Sequence, residues 1–181
     1  LETRKSIDKT LKDLKTSYID LMLIHAPCKN DLLAWKILTE YKNNNIIRNI
    51  GISNYNTVNL EQFLNNIDNK KDIYCNQIEF NPFLNRINLI NFFKENNIKI
   101  MSYGSMYKSN DIIERIADKL NKTKEQVLIK YTLVKNISVI TTAICKDYIK
   151  MNIDIDFTID MEDIQKMDNM NENFSNYKRF L

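Results

Sequence analysis

Short β-branched apolar runs alternate with longer stretches of helical spacing along most of the chain. Residues 18–25 (YIDLMLIH), 46–53 (IIRNIGIS), 73–79 (IYCNQIE), 98–103 (IKIMSY) and 137–141 read as strands. Between them lie stretches with one apolar face. Residues 6–16 predict a helix with Ser6 as its N-cap and Leu11 and Leu14 on one side. Residues 31–43 predict a second, whose apolar side is Leu32, Leu33, Trp35, Ile37 and Leu38. Helices are also predicted over 57–67, over 86–96 with Leu89, Ile90, Phe92 and Phe93, and over 110–121 and 123–135. Thr123 followed by Gln126 fits a capping box. Residues 146–151 predict a short helix, and 160–171 a last one outside the alternation.

Strands alternating with helices at this spacing predict an α/β domain with a parallel sheet and helical crossovers. The runs are apolar rather than alternating, as strands covered on both faces are. Their number, five, suits a doubly wound sheet. A (β/α)₈ barrel asks for eight strands and roughly 250 residues.

The chain has 181 residues, 44% apolar and 27% charged, so it can bury a sizeable core and is not a disordered tail. Twenty-six basic residues stand against 23 acidic ones, scattered rather than clustered, which argues against a nucleic-acid partner. No apolar stretch is long enough to span a membrane, so no membrane partner is expected. Cys28, Cys75 and Cys145 lack metal-ligand spacing and fit free thiols in a reducing, cytoplasmic setting. The first residue is Leu1, and residues 1–17 hold no signal-peptide core, which fits a chain cut from something longer.

Polar residues follow each apolar run. The first ends at His25 and the second at Ser53-Asn54. The third carries Gln77 and Glu79, then Asn81-Pro82. The fourth ends in Ser102-Tyr103-Gly104-Ser105, and the fifth in Thr141-Thr142. In α/β folds ligands bind at the C-terminal ends of strands. Each residue also has a structural explanation: a packed histidine, a turn or helix cap, a tyrosine whose hydroxyl is bonded. The repetition favours a ligand site. Gly51, inside the second strand, points either to close backbone approach beside that site or to tight packing against a helix. Phosphate-loop, dinucleotide G-x-G-x-x-G and G-x-S-x-G motifs are absent from the sequence, and one histidine makes a His-based metal centre improbable.

The strings SIDKTLKDLKTSYIDLMLIHAP, WKILTEYKNNNIIRNIGISNYN, NQIEFNPFL and IKIMSYGSM, in this order and spacing, resemble the aldo-keto reductase superfamily. KTKEQVLIKYTLVKNISVI resembles the segment leading into that family's last strand. The resemblance implies a parallel (β/α) barrel of TIM type, incomplete in this chain, whose strands correspond to the fourth to eighth of the family barrel. It implies reduction of aldehydes and ketones with NADPH, NADH being an alternative, and a small carbonyl compound as substrate.

By position, the resemblance makes His25 the histidine that orients or polarises the substrate carbonyl. It makes Ser53, Asn54 and Gln77 the residues bonding the nicotinamide carboxamide, and Tyr103 the aromatic under the ring. Gly104, Ser105 and Met106 match the loop along the pyrophosphate, and Asn152 a residue near the adenine. The family's proton-donating tyrosine and its supporting lysine and aspartate have no match in these residues. Tyr18, Tyr55 and Tyr107 do not occupy that position. Ala26 stands where an aromatic is common, and Thr142, Tyr148 and Met151 stand where a lysine, an arginine and a glutamate are usual, with Lys146 and Lys150 nearby.

Two expectations follow. Either the parent protein is a working reductase whose missing segment supplies the general acid, or these residues are a non-catalytic remnant that binds a partner or does nothing. In both cases the isolated chain is expected to be inactive, and its open sheet edges to favour self-association.

Overall fold

The structure, a computed structural model, describes residues 2–175. Strands β1 (Ile19–Ile24), β2 (Ile47–Ser53), β3 (Ile73–Glu79), β4 (Lys99–Tyr103) and β5 (Ser138–Val139) form one sheet in the order β1-β2-β3-β4-β5. β1 runs parallel to β2 with Ile19 opposite Ile47, and β4 runs parallel to β5 with Met101 opposite Ser138. A doubly wound sheet reverses its strand order at a switch point. This sheet never reverses: each strand is added beside the one before it, which is the winding of a (β/α) barrel. The incomplete parallel barrel implied by the resemblance is therefore the fold, and the doubly wound alternative is not.

The helices are α1 (Glu2–Leu14), α2 (Asp31–Asn43), α3 (Thr57–Leu64), α4 (Ile87–Glu95), α5 (Asp111–Leu120), α6 (Lys124–Val134), α7 (Lys146–Ile153) and α8 (Met161–Asp168). The chain divides into two compact units. The first runs from its N-terminal side to Asn76 and includes Asn91–Lys99; the second comprises Gln77–Ile90 and the residues from Ile100 onward.

In the first unit Ile7, Trp35, Leu38, Ile47, Ile50, Ile52, Leu60 and Phe63 are buried. Phe63 takes Trp35 and Tyr55 edge-on at 5.4 and 5.2 Å, pairs worth about 0.5–1.5 kcal/mol each beyond their burial. A methyl group on Gly51 would lie 2.7 Å from Leu23 Cδ2 and 2.8 Å from the Cys75 carbonyl oxygen. Gly51 is thus a packing position, and it packs against residues of β1 and β3 rather than against a helix.

In the second unit α5 packs on α6 and α8, and α6 on α7. The capping box at Thr123 and Gln126 is present. Gln126 Nε2 also donates to the Met151 and Asp154 carbonyls at 3.1 and 2.8 Å, tying the end of α7 to the start of α6. Asp160 caps α8 by accepting from Asp163 N. Tyr131 stacks on Phe80 at 6.1 Å and donates its hydroxyl proton to Asp168 at 2.7 Å.

Several boundaries differ from expectation. α1 begins at Glu2, so Ser6 is inside the helix and not its N-cap; its carbonyl accepts from Thr10 Oγ1 at 2.8 Å. No Gly or Pro precedes Ser6 to stop the helix, and Glu2 suits the positive end of the dipole. α3 ends at Leu64, three residues early, with Asn65 as its C-cap. β5 is only Ser138–Val139, although Ile140 N still donates to the Ser102 carbonyl at 2.7 Å. A 3-10 turn at Lys70–Asp72, capped by Asn69, has no apolar periodicity to announce it.

Candidate functional site

Each unit arranges its own group of the expected residues. In the first, β1 delivers the chain to His25, which is exposed. β2 ends at Ser53, 2% exposed. Asn54 then adopts φ +63°, the left-handed region that asparagine tolerates better than most residues. This turn folds the Asn54 amide back, and Nδ2 donates to the His25 carbonyl at 2.8 Å and to Ser53 Oγ at 3.0 Å. His25, Ser53 and Asn54 are thus brought together by one side chain.

The following residues lock that turn. Tyr55 is buried, and its hydroxyl donates to Asp31 Oδ2 at 2.7 Å. Burial first, and the Asp31 carboxylate second, push the Tyr55 phenol far above the usual range. It is a packing residue and a poor proton donor. Asn76 Nδ2 donates to the Tyr55 carbonyl at 2.9 Å. Asn56, two residues after Asn54, caps α3 by accepting from Asn59 N.

In the second unit Gln77 and Glu79 alternate on β3, Gln77 half-buried and Glu79 1% exposed. β4 ends at Tyr103, half-buried, and Gly104 follows at φ +69°. A Cβ there would also meet Glu79 Cγ at 3.1 Å and the Tyr107 ring at 3.2 Å, so both conformation and space ask for glycine. Ser102 Oγ donates to the Phe80 carbonyl at 3.0 Å and lies 2.7 Å from Ser105 Oγ. Asn81 Nδ2 donates to the Gly104 carbonyl at 3.3 Å, and Phe80 N to the Tyr103 carbonyl at 3.3 Å. Ser105 is 3% exposed and its hydroxyl is bonded within the unit, so it braces the turn that carries the half-buried Met106.

Asn152 lies on α7, none of whose residues is buried. Lys150 faces Asp147 on the same helix at 3.7 Å, while Thr142 and Tyr148 are exposed. Asn81, Ser102 and Glu79 stand out in the sequence only as polar residues near strand ends. Their bracing role depends on partners in other segments. Ser175, which donates to the Glu79 carboxylate, has no sequence signal at all.

Among the described residues no group of three or more His, Cys, Asp and Glu could hold a metal ion. All three cysteines are free, Cys75 buried and Cys28 and Cys145 exposed. No helix among the described residues is long and apolar enough to cross a membrane.

Residues 2–108 match the model of the Aldo/keto reductase family. A mouse member of aldo-keto reductase family 1 is 28% identical over 94% of this chain and 64% of its own length. Glyoxal reductase of Bacillus subtilis is 31% identical over 94% of this chain and 63% of its own. The crystal structure of an aldo-keto reductase from a Medee basin deep-sea metagenome library superposes with a TM-score of 0.90 at 29% identity, covering 96% of this chain and 66% of that one. The chain therefore spans a little under two-thirds of the length of these relatives. By this match, and by a sheet wound without reversal, the chain belongs to the aldo/keto reductase family.

Proposed function

We propose that this chain serves the NAD(P)H-dependent reduction of aldehydes and ketones to alcohols, contributing the residues that hold the nicotinamide end of the cofactor. The cofactor, when bound, supplies the hydride. Ser53, Asn54 and Gln77 are the residues that would hold its carboxamide, Tyr103 its ring, and Gly104, Ser105 and Met106 its pyrophosphate. Asn152 would lie by the adenine. His25 would orient and polarise the substrate carbonyl. Two features suit such a group: an amide held fast beside a hydroxyl at Asn54, and a rigid turn behind an aromatic at Tyr103. Fixing one ring face toward a carbonyl needs both.

None of these residues matches the family's proton-donating tyrosine, its lysine or its aspartate. The 181 residues alone are therefore expected not to turn over a generic aldehyde with NADPH, since loss of a general acid costs about a hundredfold to ten-thousandfold. NADPH is the proposed cofactor, with NADH as the alternative because Thr142 and Tyr148, where a lysine and an arginine are usual, offer no positive charge to a 2′-phosphate. A small carbonyl compound is the proposed substrate, in keeping with the name of the Bacillus subtilis relative. No nucleic-acid or membrane partner is proposed, and three free thiols suit a reducing cytoplasmic setting. β1 and β5 stand first and last in the strand order, and edges of that kind favour self-association.

The observation that carries the reading is the Asn54 amide, pinned between the His25 carbonyl and Ser53 Oγ. Calorimetric titration with NADPH and NADH tests it. The wild-type chain should bind at least one of them, and Asn54→Ala and Tyr103→Ala should each weaken binding about tenfold. The replacement of the usual basic residues by Thr142 and Tyr148 favours a second reading, a non-catalytic remnant serving only as an interaction module. Failure to bind either cofactor at millimolar concentration would support it.

A further inference from the structure

Glu79 closes β3 with its carboxylate almost wholly buried. A buried carboxylate is costly unless it is bonded or faces a cation. Both conditions are met within the second unit. The hydroxyl of Ser175, itself 4% exposed, donates to Glu79 Oε2. The Arg86 guanidinium lies within electrostatic reach of both Glu79 and the Tyr103 phenol; burial lowers its pKa while those two groups oppose the shift. Arg86 holds φ +43° at the start of α4, a left-handed conformation that an arginine adopts only when its surroundings impose it.

The segment bearing Ser175 is tied down along its length. Asn171 Oδ1 accepts from Asn85 N at 3.3 Å. Glu172 N and Phe174 N both donate to the Phe83 carbonyl, at 3.0 and 3.1 Å. Lys108 pairs with Glu172 and lies over the rings of Phe83 and Phe174 at 4.5 and 4.6 Å. Residues 171–175 therefore run over the loop after β3 and end with a hydroxyl on Glu79. Glu79 Cγ in turn lies only 3.1 Å from where a Cβ of Gly104 would be. The chain of contacts leads from the C-terminal segment, through Glu79, to the turn behind Tyr103.

We propose that Ser175, Glu79 and Arg86 form a latch by which the C-terminal segment positions the Tyr103–Gly104 turn. On the proposed function, on which this second consequence rests, the latch sets affinity for the nicotinamide end of the cofactor. Ser175, Glu79 and Arg86 are positioning residues; the side chain they act through is Tyr103.

Hydrogen–deuterium exchange of the full chain tests the latch without cofactor. Ser175→Ala, Glu79→Gln and Arg86→Met should each speed exchange over residues 103–107 by about tenfold, the effect of losing one bond or ion pair to a charged group. Exchange in α6 should not change, and Arg86→Lys should stay close to wild type. Unchanged exchange over 103–107 in Ser175→Ala overturns the latch. That variant removes a single hydroxyl, so it decides the matter even if Glu79→Gln does not fold.

Titration then separates the two ideas. With the latch and the cofactor reading both correct, Ser175→Ala binds NADPH about tenfold more weakly and 2′-AMP, which lacks both the nicotinamide and the pyrophosphate, as wild type does. If the wild-type chain binds no nicotinamide cofactor, but Ser175→Ala loosens the turn, the functional reading fails and the latch stands. If cofactor binds equally to both proteins and exchange is unchanged, the latch fails and the functional reading stands.

Discussion

Replacing Gly51 by alanine tests the packing of the first unit. The added Cβ would sit 2.7 Å from Leu23 Cδ2, 2.8 Å from the Cys75 carbonyl oxygen and 3.2 Å from Cys75 Sγ. The first and third neighbours are side-chain atoms that can give a little. The second is backbone of β3 and cannot move without disturbing the strand. Gly51 is not among the residues with positive φ, so space rather than conformation is at stake. Alanine would gain about 0.5–1 kcal/mol by restricting the unfolded chain. Overpacking costs about 1–3 kcal/mol. With a backbone oxygen in the way the cost wins, leaving a net loss of about 1–2 kcal/mol. At this chain length that is a fall in Tm of roughly 2–8 °C, readable by circular dichroism. Adding Leu23→Ala removes the shortest contact and leaves the carbonyl, so the double variant should lose less than the sum of the single losses. A Gly51→Ala protein that melts at or above the wild-type temperature would refute the reasoning, as would strictly additive losses.

Four further outcomes follow from buried, charged and capping groups. Burial pushes the Cys75 thiol up to about 11. At pH 8 a thiol reagent should therefore label Cys28 and Cys145 in the native chain and reach Cys75 only in urea; equal rates at all three would contradict this. The same shift means that stability is fully present below the unfolded thiol value near 9 and declines as pH rises towards about 11. Asp163 is held below the usual carboxylate range by hydrogen bonds from Lys119 and then Lys166. Its stabilisation is complete above pH 3.8 and is lost as pH falls through the lowered value, so Asp163→Asn should flatten the acid limb of a Tm–pH curve. Thr123→Ala removes a capping box and should cost about 1 kcal/mol in a urea melt, with no effect on labelling of Cys75.

Where local chemistry decides the structure, the sequence could be read directly. The strands are legible because each is built on β-branched and other apolar residues even where polar ones interrupt it, as Arg48-Asn49 do in β2 and Asn76-Gln77 in β3, and α2 matches its predicted span because polar residues flank it on both sides. The polar strand ends were visible for the same reason, and they fall on both units. Ser6 misled because a good N-cap residue does not stop a helix whose preceding residues also favour it. Gly51 was legible as a constrained position but not as a strand-packing one, since its neighbours Leu23 and Cys75 come from other strands. The latch was illegible: Ser175 and Glu79 are 96 residues apart, and no periodicity links them. The family resemblance singles out His25, Ser53, Asn54 and Tyr103 as candidates by register, whereas the physics of the turns at Asn54 and Gly104 is visible only in the backbone.

The most direct test of the central claim is saturation-transfer NMR of NADPH with the 181-residue chain. The account predicts that the nicotinamide protons receive saturation from the protein, and that Tyr103→Ala reduces this transfer. Saturation confined to the adenine protons, or none at all, would contradict it.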